Sequence, residues 1–171
     1  PFVSISQIVS DNCFIQAQFV ELGIGPCGTF GTTVDAPPGY HPRGGSSGNP
    51  LKLGFIADQG KDGWAVGNPN YCGDYYVTGR PEEGWGISMD NKHYNNNLLC
   101  AESDVPGKII EYRNDGTFIT GTWQGEKDGL TIKAKTYVPL NKLYFLTEVT
   151  LKNTTKDTIH NVYYMRNIDP D

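Results

Sequence analysis

The chain has 171 residues and a formal net charge of −5, from 14 lysines and arginines against 19 aspartates and glutamates. A chain of this length buries a core of its own, and we predict one domain over residues 1–171. The negative charge and the scattered basic residues exclude a phosphate-rich partner such as nucleic acid, and no apolar run is long enough for direct membrane insertion. The 21 glycines, 11 prolines and 10 tyrosines indicate a loop-rich β protein.

The N-terminal half contains short strand patterns separated by long loops. Phe2–Val9 alternates in hydrophobicity and predicts a first strand. Phe14–Leu22 fits both helical and strand spacing, and we predict a strand because the Gly-Ile-Gly-Pro that follows suits no long helix. Gly25–Pro50 is predicted to be a long irregular loop and Leu51–Ala57 another short strand.

Two acidic segments could bind a hard cation. Asp58–Gly63 places oxygen donors at alternate positions like the first half of a calcium loop, but Pro69 stands where a bidentate glutamate belongs, so a plain Asp-Gly turn is the favoured interpretation. The acidic end of the chain is the second segment, and a salt bridge to Arg166 is its alternative role. The candidate calcium ligands are Asp58, Asp62, Asp169 and Asp171.

The middle of the chain offers one further strand. Gly86–Met89 is predicted to be a short strand, and Asp90–Asn97 is predicted to be a turn and loop because it consists mainly of Asp, Asn and Lys. Adjacent Glu82 and Glu83 would point to opposite sides of an extended chain, so they predict a solvated turn instead of an acid/base pair.

The C-terminal part has the clearest periodicity. Leu130–Val138 alternates apolar or β-branched residues with polar ones, which is the period of a half-buried strand, and Leu143–Lys152 repeats the pattern. The strands predicted around this pair are Ile109–Tyr112, Thr117–Trp123 and Ile159–Ile168. Sequential strands with short Gly, Pro, Asn and Asp connectors form an antiparallel meander, and its apolar face needs a second layer from the upstream residues. The predicted fold is therefore an all-β, antiparallel two-layer β-sandwich with long loops in the N-terminal half.

The cysteines predict an oxidising compartment. The four are Cys13, Cys27, Cys72 and Cys100. They contain no C-x-x-C pair and the histidines are scattered, so no zinc site is indicated, whereas an even count fits two disulfides with three possible pairings. Four buried free thiols are the alternative.

Aromatic residues among Gly, Asn and Asp are the candidate contact residues. Flat rings beside amides and carboxylates suit sugar faces and hydroxyls, although such rings also cap the ends of a sandwich core. The predicted glycan-binding residues are Trp64, Tyr75, Trp85 and Tyr94. Motifs of serine hydrolases, zinc proteases, P-loop proteins and dinucleotide-binding proteins are absent from the sequence, and we predict no catalytic residues and no enzyme.

Five segments carry a resemblance to a protein family. They are FVELGIGPCGTFGT (Phe19–Thr32), GYHPRG (Gly39–Gly44), LGFIADQGKDGW (Leu53–Trp64), GDYYVTGRPEEGW (Gly73–Trp85) and VYYMRNIDPD (Val162–Asp171). They resemble segments of very large secreted surface adhesins of Bacteroidetes-type bacteria, which are associated with gliding motility and type IX secretion. The resemblance implies a secreted or cell-surface β-sandwich module that works in adhesion beside neighbouring modules. It also implies that this chain is a fragment of a longer protein.

Two alternatives remain open. The segment Thr136–Asp169 is also similar to the sheet of supersandwich domains attached to glycoside hydrolases and phosphorylases, which implies an accessory domain of a carbohydrate-active enzyme. A building block of a surface filament is the other alternative, and it would show as strands donated between copies. Convergent carboxylates beneath Trp64 or Trp85 would favour sugar chemistry, and a closed surface would favour an assembly module.

Overall fold

The structure, a computed structural model, describes residues 7–41, 52–65, 74–76 and 83–168. In chain order its strands are β1 (Gln7–Val9), β2 (Asn12–Gln16), β3 (Val20–Ile24), β4 (Phe55–Ala57), β5 (Gly84–Met89), β6 (Lys92–Asn97), β7 (Glu102–Ser103), β8 (Gly107–Asn114), β9 (Phe118–Lys127), β10 (Leu130–Pro139), β11 (Leu146–Asn153) and β12 (Tyr163–Asn167). The helical structure in these ranges is a single 3-10 turn, Leu98–Cys100, and no helix there has the length and apolarity needed to span a membrane.

The strands form three antiparallel sheets of four strands each, and none of the sheets closes into a barrel. The N-terminal sheet has the order β1-β2-β3-β4, the meander sheet has the order β11-β10-β9-β8, and the β5 sheet has the order β12-β5-β6-β7. Strand β2 packs against β8 and β9, so the N-terminal sheet covers the meander sheet. The predicted all-β sandwich class is confirmed, and its layers are built from three sheets.

The meander follows the alternation of its sequence. In β10 the buried side chains alternate with half-buried ones, so that Leu130, Ile132 and Val138 point into the core. Strand β10 pairs with β9 and β11 along its length, in the register that the hairpin turns set. The predicted strands over residues 109–112, 117–123, 130–138 and 143–152 are thus confirmed, with ends shifted by a few residues.

The last predicted strand lies in a different sheet. Strand β12 pairs with β5, with Tyr163 opposite Ser88 and Asn167 opposite Gly84, and β8 takes the fourth place in the meander instead. The reason is the loop over residues 154–162, which carries the chain from the edge of one sheet to the edge of another. Placing Ile159–Ile168 in the meander was therefore wrong.

Two other predictions fail for local reasons. Phe14–Leu22 is no single strand but a hairpin, in which β2 and β3 are joined by a turn closed by a bond from the Ala17 N–H to the Val20 carbonyl, 2.8 Å. Asp90–Asn97 is no loop, because Asp90 and Asn91 both have positive φ (48° and 62°) and form a two-residue turn that leads into β6. Such turns match the twist of paired strands. The turn therefore places the polar β6 beside β5, and pairing with β5 makes it extended.

The core lies between the three sheets. Its fully buried side chains include Ile15, Leu22, Met89, Ile119, Trp123 and Ile132. Trp123 has the largest of them, and its indole lies in a slot of glycines, since a Cβ atom on Gly107 or Gly125 would be 2.2 to 2.3 Å from the ring. A second cluster of Phe14, Leu53 and Ile56 fills the outer side of the N-terminal sheet.

Candidate functional site

Trp85 belongs to the core and is shielded from solvent, so that no ligand can reach it. Its side chain is 2% exposed, its ring centroid lies 5.3 Å from that of Trp123, and its indole N–H donates to the Cys27 carbonyl at 3.1 Å. Alternation along β5 turns Trp85, Ile87 and Met89 toward the core together. The prediction of Trp85 as a contact residue is therefore wrong.

The other three predicted aromatics have separate surroundings. Tyr75 packs against Phe55, with ring centroids 5.4 Å apart. The Tyr94 hydroxyl donates to Asp128 at 2.6 Å on the exposed side of the β9–β10 turn. Trp64 stacks on His41, with ring centroids 4.7 Å apart and an interplanar angle of 3°. These contacts do not gather the three rings into one surface.

A buried carboxylate holds the residues around Trp64. Glu21 is fully buried on β3, accepts the backbone N–H of His41 at 2.7 Å, and lies 2.7 Å from the Nδ1 atom of the same ring. The Gln16 amide donates to Glu21 at 2.6 Å and to the Gly39 carbonyl at 2.8 Å. The hydrogen bond to Glu21 raises the pKa of His41 above its ordinary value, while partial burial opposes the rise. Glu21 thus fastens the loop that ends at His41 to the N-terminal sheet.

Asp58 performs the same task in the next loop. Its carboxylate accepts the backbone N–H groups of Asp62, Gly63 and Trp64 at 3.0 to 3.2 Å. Burial by itself would raise the pKa of Asp58, but these three hydrogen bonds lower it below its ordinary value. They also hold Trp64 in a left-handed backbone conformation, φ 66°, which is uncommon for a bulky residue. The predicted Asp-Gly turn is therefore closed by its own first carboxylate.

Among the described residues, the candidate calcium ligands Asp58 and Asp62 do not form a set of oxygen donors around one point. The Asp58 oxygens already face backbone N–H groups, and the Asp62 carboxylate accepts the N–H of Ala65 at 3.1 Å. Across residues 7–41, 52–65, 74–76 and 83–168, no group of three His, Cys, Asp or Glu side chains is placed to hold a metal ion. Asp169 and Asp171 lie outside these ranges, so their part of the prediction stays a prediction.

One disulfide joins two loops that are far apart in the sequence. Cys27 bonds to Cys100, 73 residues later, and ties the loop after β3 to the 3-10 turn after β6. Cys13 instead carries a buried free thiol, and burial raises its pKa to about 12. The prediction that Cys13 forms a disulfide is wrong, because alternation in β2 turns its side chain into the core. Cys72 lies outside the described residues.

An aromatic pocket opens between the start of β11 and the end of β12. Its volume is about 300 Å³, and its lining residues are Phe30, Tyr76, Glu83, Phe145, Thr147, Arg166, Asn167 and Ile168. The walls are mostly rings: Phe30 stacks with Tyr76 at 5.8 Å and meets Phe145 edge-on at 5.0 Å. Burial raises the pKa of Tyr76 to about 12, so its hydroxyl stays protonated at neutral pH. The pocket has the size and the apolar lining that small ligands require.

A buried ion pair forms the polar wall of the aromatic pocket. The Arg166 Nε atom lies 2.5 Å from Glu83, and a second guanidinium nitrogen donates to the Gly28 carbonyl at 3.3 Å. The guanidinium also stacks over the Phe30 ring, 3.8 Å from its centroid, and the Phe30 N–H donates to the other oxygen of Glu83. Burial raises the pKa of Glu83, although Arg166 opposes the shift. Both charges are engaged within the protein, so this arrangement suits binding of an apolar group better than proton transfer.

No sequence motif indicates the Glu83–Arg166 pair or the Glu21–His41 pair. Glu83 was predicted to lie in a solvated turn, but it is 3% exposed because β12 brings Arg166 across the sheet to it. Residue 82 lies outside the described residues. The pairing of Glu21 with His41 joins positions 20 residues apart, and neither stands in a recognisable motif. Strand β3, predicted as part of a longer apolar strand, offered one signal: a charged residue inside a buried run needs a partner.

The chain was compared with known proteins. No protein-family model, no curated protein and no solved structure matches it. Its function therefore has to be inferred from its own residues and geometry.

Proposed function

We propose that the chain is an extracellular, non-catalytic module of a cell-surface protein, with a role in adhesion or in the structure of the surface. The observation that carries this proposal is the Cys27–Cys100 disulfide. Disulfides persist in oxidising compartments and are rare in the cytosol. The bond ties together loops from two sheets, with Cys27 almost fully buried beside the core. The resemblance to secreted surface adhesins supports the same location.

The non-catalytic part of the proposal is supported by what the buried carboxylates contact. Asp58 accepts three backbone N–H groups, and Asp74 accepts those of Gly54, Phe55 and Tyr76 at 2.6 to 3.1 Å. Glu21 accepts the Gln16 amide, as described above, and Glu83 binds Arg166. Carboxylates that fix backbone in this way stabilise long loops, which is what a rigid binding or structural module requires.

The location is tested on intact cells of the organism that produces the protein. Brief treatment with an external protease and a membrane-impermeant biotin reagent should release and label peptides of this chain. Alkylation before and after reduction, followed by mass spectrometry, should show Cys27 and Cys100 protected until reductant is added. Peptides found only after lysis, with both cysteines alkylated without reductant, would contradict the proposal.

The accessory-domain and filament alternatives stay predictions. The aromatic pocket supports the first of these, because its apolar opening between two sheet edges would suit contact with a neighbouring domain. An assay of the full-length protein on a panel of glycosides distinguishes the two classes: turnover would favour the accessory domain of a carbohydrate-active enzyme, and a binding or structural module gives none.

A further inference from the structure

The outer face of the β5 sheet, which points away from the core, carries small residues on its central strand and larger ones on the two strands beside it. Residues that point outward alternate with the buried Trp85, Ile87 and Met89, and pairing aligns them in three rows across β12, β5 and β6. Two of the rows are Met165–Gly86–Asn95 and Tyr163–Ser88–His93. In the third, Gly84 pairs with Asn167 and lies beside the Asn97 side chain. The central strand thus contributes two glycines and a serine, so the face has a low middle between two higher walls.

A shallow groove of about 210 Å³ lies on this face. Its lining includes Gly86, Ser88, His93, Asn95, Tyr163 and Met165. Tyr163 and Met165 form the β12 wall and are 67% and 65% exposed, which is high for large apolar side chains. The two are neighbours on one face of β12 and are flanked by polar side chains, and a contiguous apolar patch with a polar rim is a feature of ligand-binding grooves.

The glycines position the asparagine amides. A Cβ atom on Gly86 would lie 2.7 Å from the Asn95 Oδ1 atom, and one on Gly84 would lie 2.3 Å from the Asn97 Oδ1 atom. Each amide oxygen therefore lies close above the backbone of a glycine in β5. The Asn97 Oδ1 atom is buried and has no hydrogen-bond partner within the described part of the chain. The Asn97 oxygen is thus shielded from a ligand, whereas the Asn95 side chain is exposed and lines the groove, where its amide presents a donor and an acceptor.

The lack of charged side chains in the groove indicates the chemical class of its ligand. None of the seven residues that line the groove is Asp, Glu, Lys or Arg, although the chain has 33 of these residues in total. The acidic residues beside the groove are Glu102, which pairs with Asn97, and Asp104, which accepts the Asn95 backbone N–H at 2.8 Å. An anionic ligand would require a basic partner, and a cationic one would require a carboxylate. The groove instead combines a tyrosine ring, a thioether, an imidazole, a hydroxyl and amides. These groups complement a molecule with apolar C–H faces and many hydroxyls.

We propose that this face binds a neutral glycan, with the C–H face of a pyranose against Tyr163 and Met165. The sugar hydroxyls exchange hydrogen bonds with the Asn95 amide, the His93 ring and the Ser88 hydroxyl. The site rests on the proposed extracellular function and gives it a ligand class. In this proposal the sugar binds to the surface of a sheet and not to the aromatic residues of the loops.

The test uses a glycan array, followed by calorimetry with the neutral glycan that binds most strongly. Tyr163→Ala and Asn95→Ala should each weaken that binding about tenfold or more, which corresponds to roughly 1.4 kcal/mol. Tyr144→Ala is the matched control, because Tyr144 is also an exposed tyrosine (48%) but precedes β11 in the meander sheet. Thermal unfolding confirms that each variant is folded. Repeating the array with a chelator tests the calcium prediction alongside.

The outcomes separate the site from the function. Binding of neutral glycans that is lost in Tyr163→Ala and kept in Tyr144→Ala supports the site. Binding that survives both groove substitutions, or that is restricted to acidic glycans, overturns it and leaves the extracellular function standing. Silence of the wild-type chain on all neutral glycans also overturns the site, while the surface-labelling experiment decides the function independently.

Discussion

The meander sheet and the N-terminal half of the molecule are stabilised in different ways. In the meander, neighbouring strands in the sequence pair with each other, and β10 buries every second side chain. In the N-terminal half, residues 25–41 and 52–65 form little regular structure and are fastened by Glu21, Asp58 and Asp74. The first region depends on apolar periodicity, and the second depends on a few polar contacts between distant positions.

This difference determines how each region responds to substitution. Apolar burial is spread over many side chains, so one lost methyl group is a small change. A buried charge or a cross-link acts alone, and removing its partner leaves a desolvated group or a free loop. Substitutions that leave a buried charged or polar group without its partner, or that remove the cross-link, should therefore destabilise the protein more than conservative substitutions in the meander.

The largest effect is expected at the ion pair in the aromatic pocket. Arg166→Met leaves Glu83 buried without its cation and should lower the free energy of unfolding by about 3–5 kcal/mol. Urea denaturation at neutral pH measures the loss. The control is the double variant Glu83→Gln/Arg166→Met, which removes both charges and should recover most of the stability. Equal stability of Arg166→Met and wild type would show that the pair is not an anchor.

The disulfide should rank next. Replacing Cys27 and Cys100 together by alanine should lower the free energy of unfolding by roughly 2–5 kcal/mol, because the bond closes a long loop in the unfolded chain. Reductant should lower the melting temperature of the wild type and leave that of the double variant unchanged. A wild type that is insensitive to reductant would contradict the expectation.

Asp58 gives a smaller effect with a pH signature. Asp58→Ala leaves three backbone N–H groups without their acceptor and should destabilise by about 1–3 kcal/mol. Since folding lowers the pKa of Asp58 below its ordinary value of 3.8, the stabilisation is present above that pH and is lost as pH falls through the folded-state pKa. Urea denaturation should therefore be measured at steps of about one pH unit from about pH 2 to about pH 6. The free energy of unfolding should fall less steeply with decreasing pH in the variant than in the wild type.

A conservative core change in the meander provides the comparison. Ile132→Val on β10 removes one buried methylene and should lower the free energy of unfolding by roughly 0.5–1.5 kcal/mol. The same urea titration measures it. A loss larger than that of Asp58→Ala would reverse the proposed ranking of the two regions.

The smallest effect should come from His41. Its hydrogen bond to Glu21 raises its pKa in the folded state, so its contribution is complete below the unfolded pKa and is lost as pH rises through the folded value. The ring is partly exposed to water, which limits the contribution to less than about 1 kcal/mol. Stability measured upward from pH 6 should decline in the wild type, and His41→Ala should flatten that part of the curve.

The two regions also differ in how far they were predictable. Alternation in Leu130–Val138 and the Asn, Asp and Gly turns indicated the meander strands, because their information is local. Strand β6 was missed because its Asn-rich sequence becomes extended only beside β5. Strand β12 was placed in the wrong sheet because nothing in its own residues reports which edge it will join.

The candidate sites were predicted less well than the fold. The prediction of Trp85 as a contact residue fails because aromatic composition does not distinguish a core ring from a surface one. Glu83 and Arg166 are 83 residues apart, and their pairing depends on β12 meeting β5. The groove on the outer face of the β5 sheet could not be predicted from the sequence for the same reason. Its residues come together only when β12, β5 and β6 are paired.

Hydrogen exchange of the backbone amides tests the central claim most directly. The claim is that long-range anchors hold the loop-rich regions, whereas local strand pairing holds the meander. Reduction of the Cys27–Cys100 bond under native conditions should accelerate exchange in residues 23–32 and 95–105, with β9 and β10 retaining their protection. A uniform loss of protection across all three sheets would contradict the claim.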